Sequence, residues 1–226
     1  MARRSDHTRE ELHEMALAAA RRIVAAEGLR GLSTRKIAGE IGYAAGTLYQ
    51  LFDDLDDLIM RLNGITLDAL LLKCKSVDLE REPERVLQDL AECYIDFVTE
   101  NPKLWTAVVE HNLPSGQDIP QWYMEKIGKL LGLAEAALAP LYSSSQSEKR
   151  FLDARVLWSG LYGIASLARA HQISPKLTPQ DLVEALIRNY LAGLRAQGQT
   201  PRRRQSESRT TRGGRSKNKA AVRTRR

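Results

Sequence analysis

The segment from Ser33 to Phe52, STRKIAGEIGYAAGTLYQLF, gathers side chains suited to touching a polyanion. Thr47, Tyr49 and Gln50 bring two hydroxyls and an amide, groups that donate to phosphate oxygens or base edges. Ala44 and Ala45 add almost no bulk, so a helix carrying them can approach a major groove closely. Thr34, Arg35 and Lys36 lie just upstream and add a hydroxyl and two cations. The spacing fits two short helices joined by a tight turn. Gly42 can adopt positive φ at the turn, and Ala38 is small enough for the second helix to cross nearby. Ile37, Ile41, Leu48 and Leu51 fall where the two helices would share a core, covered by Leu12, Ala16, Ile23 and Val24 of a preceding helix. An ordinary helical hairpin with a glycine turn would explain Gly42. It would not explain the small, uncharged face left on the second helix.

Other chemistry is poorly represented. His7, His13, His111 and His171 form no HExxH pattern and no Cys/His cluster, so no metal site is expected. There is no P-loop and no GxSxG elbow, and neither a cofactor nor an enzymatic function is expected. Asp53, Asp54, Asp56 and Asp57 could suggest carboxylate catalysis or cation binding, but they read more simply as the solvated first turn of a helix. Cys74 and Cys93 sit inside helical patterns and read as buried, unpaired thiols. Aromatic residues are a better lead. Tyr94, Phe97, Trp105, His111, Trp122, Tyr123, Trp158 and Tyr162, with His171, could line a mostly apolar cavity for an aromatic or lipophilic small molecule. Each of them taken singly could equally be core packing.

The elements that position these residues are all helical, with no alternating strand pattern. One apolar stripe ends near Gly28, a second helix starts at the Ser33 cap, and the third covers about 44 to 51. Asp53 or Asp54 opens a long helix with Leu55, Leu58, Ile59, Leu62 and Ile65 on one face. Further helices are expected over about 86–101, 104–111 and 120–138. From Phe151 to Leu167 apolar residues cover nearly every face, which requires burial all round, and Gly160 and Gly163 suggest close packing on another helix. The last helix starts with Thr178 as cap, Pro179 at the first position and Asp181 in the first turn. These last two helices, about 150–171 and 178–197, suggest a shared dimer face.

The 226-residue chain carries a net charge of +6, but its distribution is uneven. From Pro201 onward eleven Lys/Arg stand against one acid, Glu207, so this tail carries +10 and residues 1–200 carry −4. The tail lacks apolar periodicity and is expected to be disordered. No apolar run is long enough to span a membrane, and MARRSDHTREELHE lacks the apolar stretch of a signal peptide, so a cytoplasmic location is expected.

The stretch GLRGLSTRKIAGEIGYAAGTLYQLFDDLDDLI resembles the N-terminal signature of the TetR/AcrR family of regulators. Gly28, the run Ser33 to Ala38, Gly42, the run Gly46 to Tyr49, and Phe52 carry the match. The resemblance implies an all-α fold: a three-helix helix-turn-helix domain over residues 1–52, then an effector-binding and dimerisation domain over 53–198, with the basic tail at 199–226. It implies a ligand-responsive regulator, more readily a repressor, that binds palindromic double-stranded operator DNA as a homodimer. Thr34 and Arg35 would contact phosphate or a base edge, Ala45, Gly46 and Thr47 would lie in the groove, and Tyr49 would reach a phosphate. With Lys36, Ala44 and Gln50 these complete the expected DNA-binding set. Tyr43-Ala44 replaces the usual small apolar residue and serine, so the recognition helix lacks a side-chain cap. The acids after Phe52 replace a common basic residue and repel phosphate. They leave open a second function class, an effector-sensing adaptor with weakened DNA contact that works through protein partners.

Overall fold

Thr8 starts the first helix, α1 (Arg9–Glu27): its hydroxyl accepts from the Glu11 N–H, and the Glu11 carboxylate accepts from the Thr8 N–H at 2.7 Å. Gly28, at φ 77°, stops it. A 3₁₀ turn, Leu29–Gly31, leads to Ser33, whose side chain accepts from Lys36 N–H and so caps α2 (Thr34–Ile41). These are features of a computed structural model that describes residues 7–199. Among the described residues the chain is all-α, and seven more helices follow. They are α3 (Ala45–Leu51), α4 (Leu55–Cys74), α5 (Pro83–Glu100), α6 (Pro102–Glu110), α7 (Gln121–Leu138), α8 (Ser147–Arg169) and α9 (Pro179–Gln199). The last begins as the sequence indicates, with the Thr178 hydroxyl and the Asp181 carboxylate capping each other's N–H groups. None of these helices is long and apolar enough to cross a membrane. The basic tail lies outside the described residues.

Two cores organise the chain, and α4 belongs to both. Ala16, Ile23, Val24, Ile37, Ala38 and Leu48 form the first, joined by Leu58 and Leu62 of α4 and by Leu104 and Ala107 of α6. Met60, Leu67, Leu70 and Cys74 of the same helix enter the second core, with α5, α7, α8 and α9. The packing therefore divides inside α4 and not at its start. Its apolar stripe also drifts: Ile65 is exposed and the next buried position is Thr66, whose hydroxyl donates to the Leu62 carbonyl at 3.1 Å. A helix of 3.6 residues per turn carries a straight stripe from Leu62 to position 66 as readily as to 65.

α8 departs from the all-round burial expected of it. Leu157 and Ala165 are buried, but Phe151, Leu152, Val156 and Leu167 are 44–58% exposed. With Ser159 and Gly163 the last three fall on one outward stripe. Gly160 does mark a close crossing, since a Cβ there would meet Leu186 Cδ2 of α9 at 2.9 Å. Gly163 does not, because the space around it is open. The apolar stripe of α9 turns inward, with Val183, Ile187 and Leu191 buried within the chain.

Candidate DNA-reading face and ligand cavity

The turn between α2 and α3 is built by Gly42 in the left-handed region, φ 77° and ψ 27°. There the Tyr43 N–H reaches back to the Ala38 carbonyl at 2.9 Å, closing the end of α2. α3 then begins at Ala44 with no side-chain cap, as its sequence requires. Leu48 and Leu51 bury one side of α3. The opposite side presents Ala44, Gly46, Gln50 and Tyr49, the last 62% exposed, with Ala45 and Thr47 half-buried beside them. A Cβ added at Gly46 would meet nothing within 4 Å. Arg35 and Lys36 are exposed on α2 and Thr34 is half-buried. Lys36 is tied to Glu27 of α1 by its ammonium, so Arg35 is the cation of this pair left for a contact outside the chain.

The acidic run is largely absorbed by local structure. Asp54 caps α4, accepting from the Asp57 N–H at 2.7 Å. Asp57 accepts from Arg61 Nε at 2.8 Å, and Asp56 lies 2.8 Å from His111 Nε2. Asp53 uses its backbone N–H toward Asp57. Among the described residues no group of three or more His, Cys, Asp or Glu is arranged to hold a metal ion.

The second core contains a cavity of ≈ 390 Å³ lined by residues of α4 to α9. Of the aromatic set, Tyr94, Trp105, His111, Tyr123 and Trp158 lie on its wall. Tyr94 packs edge-on against Trp105 at 5.3 Å and Trp158 at 5.0 Å. The other three stand off the wall. Phe97 is buried behind Trp105, Trp122 packs where α7 crosses α4 at Gly64, and Tyr162 leans on Trp158 from outside. His171 is exposed in the turn after α8, at φ 54°. Burial pushes the Tyr94 phenol well up and the Tyr123 phenol up to about 12, so both hydroxyls stay protonated. Most of the wall is aliphatic, from Met60 and Leu67 on α4 to Leu186 and Ile187 on α9.

Sequence reasoning did not single out Asn63, yet it is 1% exposed on this wall and donates to the Ala107 carbonyl at 2.9 Å. Its signal was there: an amide on the apolar face of α4, seven residues after Asp56. Cys74, also on the wall, is a free thiol whose Sγ lies 3.1 Å from that of Cys93.

A helix-turn-helix with an open outer face, joined through α4 to an apolar cavity, is the arrangement of a ligand-responsive DNA-binding regulator. Comparisons agree. Residues 16–62 match the model described as bacterial regulatory proteins, tetR family, and residues 87–190 match the tetracyclin repressor-like C-terminal domain. Among curated proteins none matches the chain. Similar solved structures include a protein of unknown function from Rhodococcus sp. RHA1, 18% identical with a TM-score of 0.65, covering 85% of this chain and 98% of that one. A TetR-family regulator from Mesorhizobium loti is 19% identical with a TM-score of 0.58, covering 83% and 98%. FadR from Bacillus subtilis, solved with stearoyl-CoA, is 16% identical with a TM-score of 0.60, covering 80% and 98%. The chain belongs to the TetR/AcrR family of transcriptional regulators, whose members are not enzymes.

Proposed function

We propose that the chain is a repressor that binds a palindromic operator as a homodimer and releases it when a small, lipophilic molecule fills the cavity. The observation that carries this reading is the outward face of α3, where Gly46 leaves open space and Tyr49 and Gln50 are exposed, as is Arg35 on α2. Such a face is shaped for a groove and supports Thr34, Arg35, Ala44, Ala45, Gly46, Thr47, Tyr49 and Gln50 as the reading set, with Lys36 in support. The outward stripe of α8 supports the dimer, because Leu152, Val156 and Leu167 stay about half exposed among the described residues. A two-fold partner would cover the stripe and set two recognition helices on two half-sites. FadR of Bacillus subtilis holds stearoyl-CoA on the same fold, which supports a lipophilic occupant for the aliphatic wall here.

Selection of bound fragments from a random DNA library tests the reading. A two-fold symmetric sequence should emerge from the wild type, while Val156→Asp should sediment as a folded monomer that retains none of it. Val156 suits this test better than a residue of α9 such as Leu186, which packs on Gly160 inside the chain. Enrichment of no sequence would favour the adaptor that works through protein partners.

A further inference from the structure

Among the described residues, three buried polar atoms without a hydrogen-bond partner belong to residues on the wall of this cavity: Asn63 Oδ1, Tyr94 Oη and His111 Nδ1. All three side chains are more than nine-tenths buried, at 1%, 3% and 6% exposure. Buried polar groups are nearly always paired, so three unpartnered polar atoms on residues lining one apolar cavity point to a ligand that carries a polar group.

Their chemistry specifies that end. His111 Nε2 stands 2.8 Å from Asp56 Oδ1. A carboxylate only accepts, so Nε2 carries a proton toward Asp56, and a ring with that one proton presents a lone pair at Nδ1. The Asn63 amide already gives its N–H to the Ala107 carbonyl and leaves Oδ1 bare. Both atoms therefore call for a donor. Tyr94 has a proton to give, and the Trp105 indole beside it is a donor only and cannot take it. Among the described residues no lysine, arginine, aspartate or glutamate lines the cavity.

We propose that the cavity takes an uncharged, largely apolar ligand whose polar end is a hydroxyl, its single proton shared between Asn63 Oδ1 and His111 Nδ1 and its oxygen accepting from Tyr94. A carboxylate has no proton to give, would face two acceptors, and would be desolvated without a cation to pair with. The imidazole that receives the ligand also holds Asp56 in the first turn of α4, which places ligand recognition one residue from the helix that enters both cores. This inference rests on reading the cavity as the effector site.

The test uses full-length protein at pH 8 with three probes that share a chain and differ at the end: 1-decanol, decanoate and methyl decyl ether. Binding is followed by the fluorescence of Trp105 and Trp158 on the cavity wall, and DNA retention by anisotropy of a selected operator. The expected result is decanol binding about ten-fold more tightly than the ether, as one buried hydrogen bond supplies, and decanoate more weakly than either. His111→Phe and, separately, Asn63→Leu should each shrink the alcohol-over-ether preference, with circular dichroism and ether binding reporting that the cavity is intact. Decanoate binding as tightly as decanol, an ether bound as well as the alcohol, or no binding of decanol would overturn the ligand class. Decanol bound as expected while operator retention is unchanged would support the class and overturn the effector reading instead.

Discussion

Gly46 stands at the second position of α3 with open space where a side chain would begin, so nothing inside the chain requires a glycine there. If the face reads DNA, the requirement comes from outside. Gly46→Ala should leave stability unchanged or raise it by up to about 1 kcal/mol, the helix-propensity difference. It should nonetheless weaken operator binding, because the new methyl stands between backbone and groove. Urea denaturation and fluorescence anisotropy measure the two effects separately, and a variant that binds like wild type would remove α3 from the groove. His13 gives a second residue-scale test. Its ring stacks on Phe52 at 4.6 Å, and burial, helped by the Arg61 charge, holds its imidazole below the ordinary value of 6.5. Between the folded and unfolded values the unfolded chain binds more protons, so the neutral, stacked ring contributes stability above about pH 6.5 and loses it as the pH falls through the folded value. From pH 7.5 to 5.5 the wild type should therefore lose more Tm than His13→Phe. Parallel melting curves would show that His13 carries no such linkage.

At the scale of elements, the acids that open α4 divide into those that hold structure and one that mainly carries charge. Asp54→Ala removes the cap on the Asp57 N–H and should cost about 1 kcal/mol. Asp53→Asn keeps the backbone contact to Asp57 and should change stability by less than about 0.5 kcal/mol, while removing a negative charge at the DNA end. Operator affinity should rise for Asp53→Asn. Equal denaturation midpoints for the two variants would contradict the capping role. Helix starts and stops of this kind were legible in the sequence because they are local: Ser33, Gly42, the uncapped Ala44, and Thr178 with Pro179 and Asp181 each act within four residues. The helix-turn-helix core was legible for the same reason, since Ile37, Ala38, Leu48 and Leu51 lie close along the chain. What escaped was the work of long-range packing. Periodicity marks α8 as apolar on every side but cannot say that Leu152 and Val156 face outward while Leu157 faces in. Nor can it show that α4 serves two cores, or that Asn63 meets α6 forty-four residues away. Five of the eight aromatic candidates lie on the cavity wall because aromatic side chains concentrate in any large core. The aliphatic majority of that wall has no signature distinguishing it from ordinary packing.

Charge is the property that belongs to the whole molecule. Residues 1–200 carry −4, yet DNA presents a dense row of phosphates, and on the proposed reading face Lys36 is held in an ion pair with Glu27, which leaves Arg35 as the α2 cation without one among the described residues. Affinity drawn from so few cations would be low and would fall gently with salt, because each neutralised phosphate releases counterions that salt then competes against. The eleven Lys/Arg after Pro201 reverse the sign of the chain. Charges of that density engage flanking phosphates whatever backbone conformation carries them, and they read charge without reading base edges. Deleting residues 201–226 should then weaken binding to operator and random DNA alike, with a visibly shallower slope of log affinity against log salt concentration. The ratio of operator to random affinity should survive the deletion if, as proposed, that ratio belongs to α3. Salt titrations of the full and shortened chains on both DNAs measure all three quantities together. An unchanged slope would separate the tail from DNA binding altogether, and a collapsed ratio would mean that the tail, and not the helix-turn-helix alone, takes part in reading sequence.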